Sequence, residues 1–170
     1  MLNRTLGINC TPVQIIVGAG FEYLIDALIR VIGHDKVYSF ENPAYYKIND
    51  YMKLGKENLK LLNFGANGLD VDELNQLDAD VLFLMPYKHY PMSHTMTHKQ
   101  KKLVLDWAKS DKYIVEHGYD MDFVYNNKSE TLYNMANSKN IIFMGDFLKS
   151  IAPSINISYL VLPDNFVNKW

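Results

Sequence analysis

The sequence predicts an α/β fold: a three-layer α/β/α domain on a mainly parallel, seven-stranded sheet. Three observations carry this. Seven apolar runs of strand length recur along the chain. Most are continuously apolar rather than alternating, the pattern of strands buried on both faces. Segments of helical period lie between them, and strands separated by helices form βαβ units with right-handed crossovers.

The elements follow in order. VQIIVG (13–18) is the first strand. FEYLIDALIRVIG (21–33) places Leu24, Ile25, Leu28, Ile29 and Ile32 on one helical face. KVYSFE (36–41) and LKLLNF (59–64) are the next two strands. Asp70 caps a short helix, with Glu73 three residues on as in a capping box. DVLFLM (80–85) precedes KQKKLVLDWAKS (99–110), a helix with Leu103, Val104 and Trp107 on one face. KYIVE (112–116), NIIFMG (140–145) and NISYLVL (156–162) complete the seven. The last connection is too short for a crossover helix, so NISYLVL is expected to run antiparallel. With no repeat, low-complexity tract or linker, residues 1–170 read as one domain.

Bulk properties exclude several classes. At 48% hydrophobic and 21% charged, the composition is that of a globular protein rather than a disordered one. A net charge of −2 leaves no basic footprint for nucleic acid. The one cysteine, Cys10, rules out a disulfide within the chain. That fits a reducing, cytoplasmic setting. No apolar run reaches the roughly 18 residues of a membrane span. MLNRTLGINC lacks the apolar centre of a signal peptide.

In such sheets functional groups gather at the carboxyl ends of the strands. Five stretches stand there and are expected to converge: VGAGFEY, ENPAYYK, MPYKHYPMS, VEHGYDMDF and MGDFLKS. VGAGFEY opens a helix whose free N–H groups suit a phosphate. A dinucleotide fingerprint needs glycine where Tyr23 stands, and the plainer reading is a tight turn. Lys149 reads either as a Schiff-base lysine for pyridoxal phosphate or as an exposed loop lysine. His117, Tyr119, Asp120 and Asp122 suit a pyridine ring, or form an ordinary polar loop. His94 and His98 are four apart, but Thr95 stands where a zinc-protease motif needs glutamate, so no metal site is expected. HKQKK (98–102) reads as a solvated basic face.

Taken together, six segments resemble one family along nearly the whole chain: TPVQIIVGAGFEYLIDALIRVIG, KVYSFENPAYYKI, NGLDVDEL, DVLFLMPYKHYP, YIVEHGYDMDF and IIFMGDFLKSIAPSINISYLVLP. The resemblance is to the aminotransferase-like domain of MocR-type transcription regulators, in the GntR group. It implies the large domain of the fold type I aminotransferases, in part. It implies that Lys149 binds pyridoxal phosphate covalently. Tyr119 would hydrogen-bond the cofactor's phenolic oxygen, Tyr45 would stack on its ring, and Gly20 and Phe21 would form the turn that cradles its phosphate.

Three positions depart from the family pattern. The family reads Glu-Asp-Asp-Tyr-Asp where this chain reads EHGYD, so the aspartate that pairs with the ring nitrogen falls on His117. It reads Thr-Phe-Ser-Lys where this chain reads DFLK, which replaces phosphate-binding hydroxyls with Asp146 and Leu148. Asn156 stands where the family has a phosphate-gripping arginine. Each lost charged contact costs roughly 1.5–3 kcal/mol, and a carboxylate beside a phosphate repels it.

The resemblance therefore implies a pyridoxal-phosphate-binding sensor domain of a transcription regulator, with a degraded cofactor site. Its ligand would be a small amine or amino acid. Homodimerisation through the domain is implied, with no direct contact to nucleic acid or membrane. The chain is expected to lack the family's winged helix before it and the small domain after it. An active aminotransferase and a cofactor-free structural or dimerisation module are the alternatives.

Overall fold

The computed structural model describes residues 2–43, 58–65, 67–109, 111–119, 121, 130–137, 139–147 and 154–169. In chain order the elements are α1 (Leu2–Thr5), β1 (Ile15–Gly18), α2 (Phe21–Ile32), β2 (Tyr38–Asn42), β3 (Leu59–Gly65), β4 (Gly68–Leu69) and α3 (Val71–Gln76). They continue with β5 (Val81–Leu84), α4 (His98–Trp107), β6 (Tyr113–His117), α5 (Leu132–Met135), β7 (Ile141–Asp146), β8 (Ser158–Val161) and α6 (Asp164–Val167). All seven expected runs are strands. The described residues hold eight strands rather than seven, because β4 adds a two-residue pairing, Phe64 with Leu69 and Gly65 with Gly68, against β3. A partnership that short leaves no periodic signal.

The chain divides into two compact units, and the boundary falls within β6. The first comprises Met1–His34 and Glu116–Trp170. Its strands lie in the order β1-β8-β7-β6. As expected, β8 is antiparallel, to β7 on one side and to β1 on the other. β1 and β7 therefore run the same way and end at the same edge, where Gly18 and Asp146 both register on Ser158. β7 and β8 are buried along almost their whole length, whereas the edge strand β1 is half-exposed. α2 packs on β8 and β1 through the fully buried Leu24, Ile25 and Leu28. Ile29 and Ile32 of the predicted face are only half-buried.

The second unit, Asp35–Val115, has strands in the order β5-β2-β3-β4. β2 pairs in parallel with both β3 and β5. β5 is fully buried, and β3, next to the short β4, alternates between buried and exposed residues over Leu61–Gly65. Asp70 caps α3, accepting from the N–H groups of Asp72 and Glu73. Glu73 does not close a capping box. Its carboxylate accepts from the backbone N–H and side-chain amide of Asn63, tying α3 to β3. α4 carries a true capping box, between Thr97 and Gln100. Its basic run is not wholly solvated: Lys101 is buried, with its ammonium 4.8 Å above the Tyr87 ring.

Candidate functional site

The carboxyl edge of the first unit gathers most of the site residues expected from sequence. β1 ends at Gly18, and the chain turns through Gly20 into α2. Gly20 has φ +100, a conformation that only glycine adopts without strain. As the N-cap residue of α2 it offers no side chain to the helix start. A Cβ at Gly20 would collide with the Asn156 side chain, which lies directly against it. Asn156 thus stands over the turn between β1 and α2.

Phe21 is the first residue of α2, and its ring lies 4.7 Å from the His117 imidazole, tilted by 31°. His117 ends β6 and is buried. Its Nε2 lies 3.3 Å from Asp146 Oδ2 at the end of β7. Its Nδ1 is buried with no hydrogen-bond partner. The half-buried Tyr119 sets its ring edge-on to His117 at 6.0 Å. Gly20, Phe21, His117, Tyr119, Asp146 and Asn156 are therefore one neighbourhood. Lys149 and Tyr45 lie outside the described residues, as do Asp120, Asp122 and Leu148.

Two acidic residues escaped the sequence reading. Glu116 neighbours His117 and points to the other face of β6, as successive strand residues must. Fully buried, it accepts from the N–H groups of Leu132 (2.7 Å) and Tyr133 (2.9 Å) and so receives the start of α5. The charge of a glutamate inside an otherwise apolar strand is the signal that marks it. In the second unit, Glu41 is buried and accepts from Met85 N–H at 2.9 Å. Burial pushes its carboxyl up to about 8, against the opposing pull of that N–H. His89 Nε2 is 3.8 Å from Glu41 Oε2. Burial, then the nearby His94, push the His89 imidazole below its ordinary value. Both shifts favour the uncharged forms, and His89 stacks on Phe64 at 4.6 Å.

Comparisons with known proteins fit this arrangement. An archaeal alanine:glyoxylate aminotransferase superposes with a TM-score of 0.82 at 22% identity, covering 99% of this chain and 44% of that one. A pyridoxal-phosphate-bound C-S lyase from Staphylococcus hominis gives a TM-score of 0.76 at 12% identity, over 99% of this chain and 48% of that one. The fold is that of the fold type I aminotransferases. In sequence, the chain is 26% identical over 170 residues to an uncharacterised HTH-type transcriptional regulator, YdeL, of Bacillus subtilis, covering 99% of this chain and 37% of that one. It is 24% identical over 165 residues to the probable rhizopine catabolism regulatory protein MocR of Rhizobium meliloti, covering 95% of this chain and 34% of that one. The fold is aminotransferase-like, and the sequence is similar to HTH-type transcriptional regulators, MocR among them. It spans about a third of the length of these regulators. No family model matches the chain.

The described residues of this aminotransferase-like domain fit pyridoxal phosphate in two ways. The glycine turn at the start of α2, with the Asn156 amide beside it, is of a kind that suits a phosphate. The orphaned, buried His117 Nδ1 lacks a partner that a ring nitrogen would supply. The Asp146 carboxylate suits a phosphate badly, but it is engaged with His117. Among the described residues, no group of three or more His, Cys, Asp or Glu side chains is placed to hold a metal ion. No helix among them is long and apolar enough to cross a membrane.

Proposed function

We propose that this chain is a pyridoxal-phosphate-binding, aminotransferase-like sensor domain of a transcription regulator, with a cofactor site altered enough to impair transamination. The observation that carries the reading is the meeting of Gly20, Phe21, His117, Tyr119, Asp146 and Asn156 at one sheet edge. The start of α2 and the Asn156 amide would hold the phosphate. Tyr119 would hold the phenolic oxygen, Tyr45 would cover the ring, and Lys149 would supply the covalent link. When bound, the cofactor supplies an electron sink and an aldehyde that captures amines. The ligand sensed would then be a small amine or amino acid. The whole regulator would act in the cytoplasm as a homodimer joined through this domain.

The loss of the arginine at Asn156 and of a direct carboxylate at His117 supports impaired catalysis. A cofactor-free dimerisation module is the second reading, favoured by the carboxylate of Asp146 near the phosphate turn.

Titration of the purified protein with pyridoxal phosphate separates these readings. The expected result is the visible absorbance of a lysine-bound cofactor, saturating at one per chain. Borohydride trapping and peptide mapping should place it on Lys149 alone, with little turnover when an amino acid and a keto acid are added. No adduct, or adducts scattered over surface lysines, would leave only the scaffold reading. Fast turnover would establish an active aminotransferase instead.

A further inference from the structure

The sequence presents His117 and Asp146 as two separate losses, one at the ring-nitrogen position and one at the phosphate. The structure brings them within 3.3 Å of each other, on neighbouring strands. We propose that they form one unit, in which Asp146 fixes His117 with its proton on Nε2 and leaves Nδ1 as the acceptor for the cofactor's ring nitrogen. The inference rests on the pyridoxal-phosphate reading above.

The chemistry follows from the donor and acceptor inventory. A carboxylate only accepts hydrogen bonds, so the nitrogen facing Asp146 carries the hydrogen. Nδ1 is buried with no partner. With the hydrogen on Nε2, the neutral ring keeps a lone pair on Nδ1. The Phe21 ring packs against the imidazole, with centroids 4.7 Å apart. His117 thus faces its orphan side with a lone pair rather than an N–H.

That lone pair can take the hydrogen of a protonated ring nitrogen, as the family's aspartate would. The negative charge sits one residue farther out, on Asp146, and stabilises whatever positive charge His117 acquires. Asp–His pairs orient and charge-balance an imidazole in this way elsewhere. Asp146 is a positioning residue here, acting through His117.

The test is a change of sign. With His117 present, Asp146→Ser should weaken pyridoxal phosphate binding about tenfold or more, the scale of a lost charged contact. In a His117→Asp background the same substitution should strengthen binding, because two adjacent carboxylates repel. Thermal melts of the four proteins check folding, and Asp146→Asn offers a near-isosteric second variant. Nitrogen-15 NMR of the cofactor-free protein should show His117 protonated at Nε2, with the proton distribution shifting in Asp146→Asn. Binding at Lys149 that responds to Asp146→Ser with the same sign in both backgrounds would overturn the pairing alone. An Nε2 without its proton in the free protein would overturn it whatever the cofactor does. Failure of the wild-type chain to bind at Lys149 would overturn the proposed function and the pairing's role together.

Discussion

His117 Nε2 meets Asp146 Oδ2 at 3.3 Å, so the last residue of β6 and the last of β7 share a hydrogen bond across the strand ends. The pair is half-sheltered, with His117 buried and Asp146 partly exposed. Asp146→Ala should therefore lower the stability of the cofactor-free protein by about 1–2 kcal/mol. His117→Phe should cost less than His117→Ala, because a phenyl ring keeps the packing against Phe21. Urea unfolding of the three variants measures both. A His117→Phe protein as unstable as His117→Ala would mean that the hydrogen bond, not the ring contact, holds this corner.

Gly20 is fixed by two independent constraints. Its φ of +100 strains any side chain, and the Asn156 side chain fills the space a Cβ would need. Gly20→Ala should cost at least about 1–2 kcal/mol from the backbone alone. Adding Asn156→Gly relieves the collision but not the strain, so the double variant should recover only part of the loss. Full recovery, read from denaturant midpoints, would place the whole cost in the contact.

Much of this was legible in the sequence because burial leaves a plain mark. β5, β7 and β8 are continuous apolar runs, and the structure buries each of them fully or nearly so. The antiparallel sense of β8 followed from the length of its connection. The convergence of Gly20, Phe21, His117, Tyr119 and Asp146 followed from the rule that strand ends gather function, whereas Asn156, ahead of the antiparallel β8, was marked only by the resemblance. What escaped was pairwise. Nothing in the spacing of His117 and Asp146, 29 residues apart, says that their side chains touch. Nothing in a capping-box pattern says that Glu73 will prefer Asn63, which the fold of β3 delivers to it. Lys101 looked like one cation of a basic run until Tyr87 was placed beneath it.

Glu116 receives two backbone N–H groups that belong to the first turn of α5, at 2.7 and 2.9 Å. Replacing it with alanine leaves both donors buried. Glu116→Ala should cost about 3 kcal/mol, and Glu116→Gln roughly half of that, because an amide oxygen still accepts one of the two. Since Glu116 faces away from His117 on the strand, the loss should appear in denaturant unfolding and not in cofactor affinity once the protein is folded. An unchanged midpoint for Glu116→Ala would show that α5 is held by other contacts.

The buried pair of the second unit makes stability depend on pH in two opposing senses. Glu41 holds its proton more tightly when folded, up to about 8 against an ordinary 4.5. Its contribution is therefore fully present below pH 4.5 and is lost as pH rises through about 8. His89 is shifted down from an ordinary 6.5, so its contribution is present above pH 6.5 and is lost as pH falls toward its folded value. Between pH 6.5 and 8 only Glu41 acts, and stability should fall across that window. Glu41→Gln cannot ionise and keeps an oxygen for the Met85 N–H, so the alkaline fall should flatten in that variant. His89→Phe keeps a ring on Phe64 and should remove the acid-side loss while leaving the alkaline one. Urea midpoints of the three proteins at pH 5.5, 6.5 and 8.5 measure both limbs. A wild-type minus Glu41→Gln difference that stays constant with pH would mean that Glu41 titrates at its ordinary value and that water reaches it.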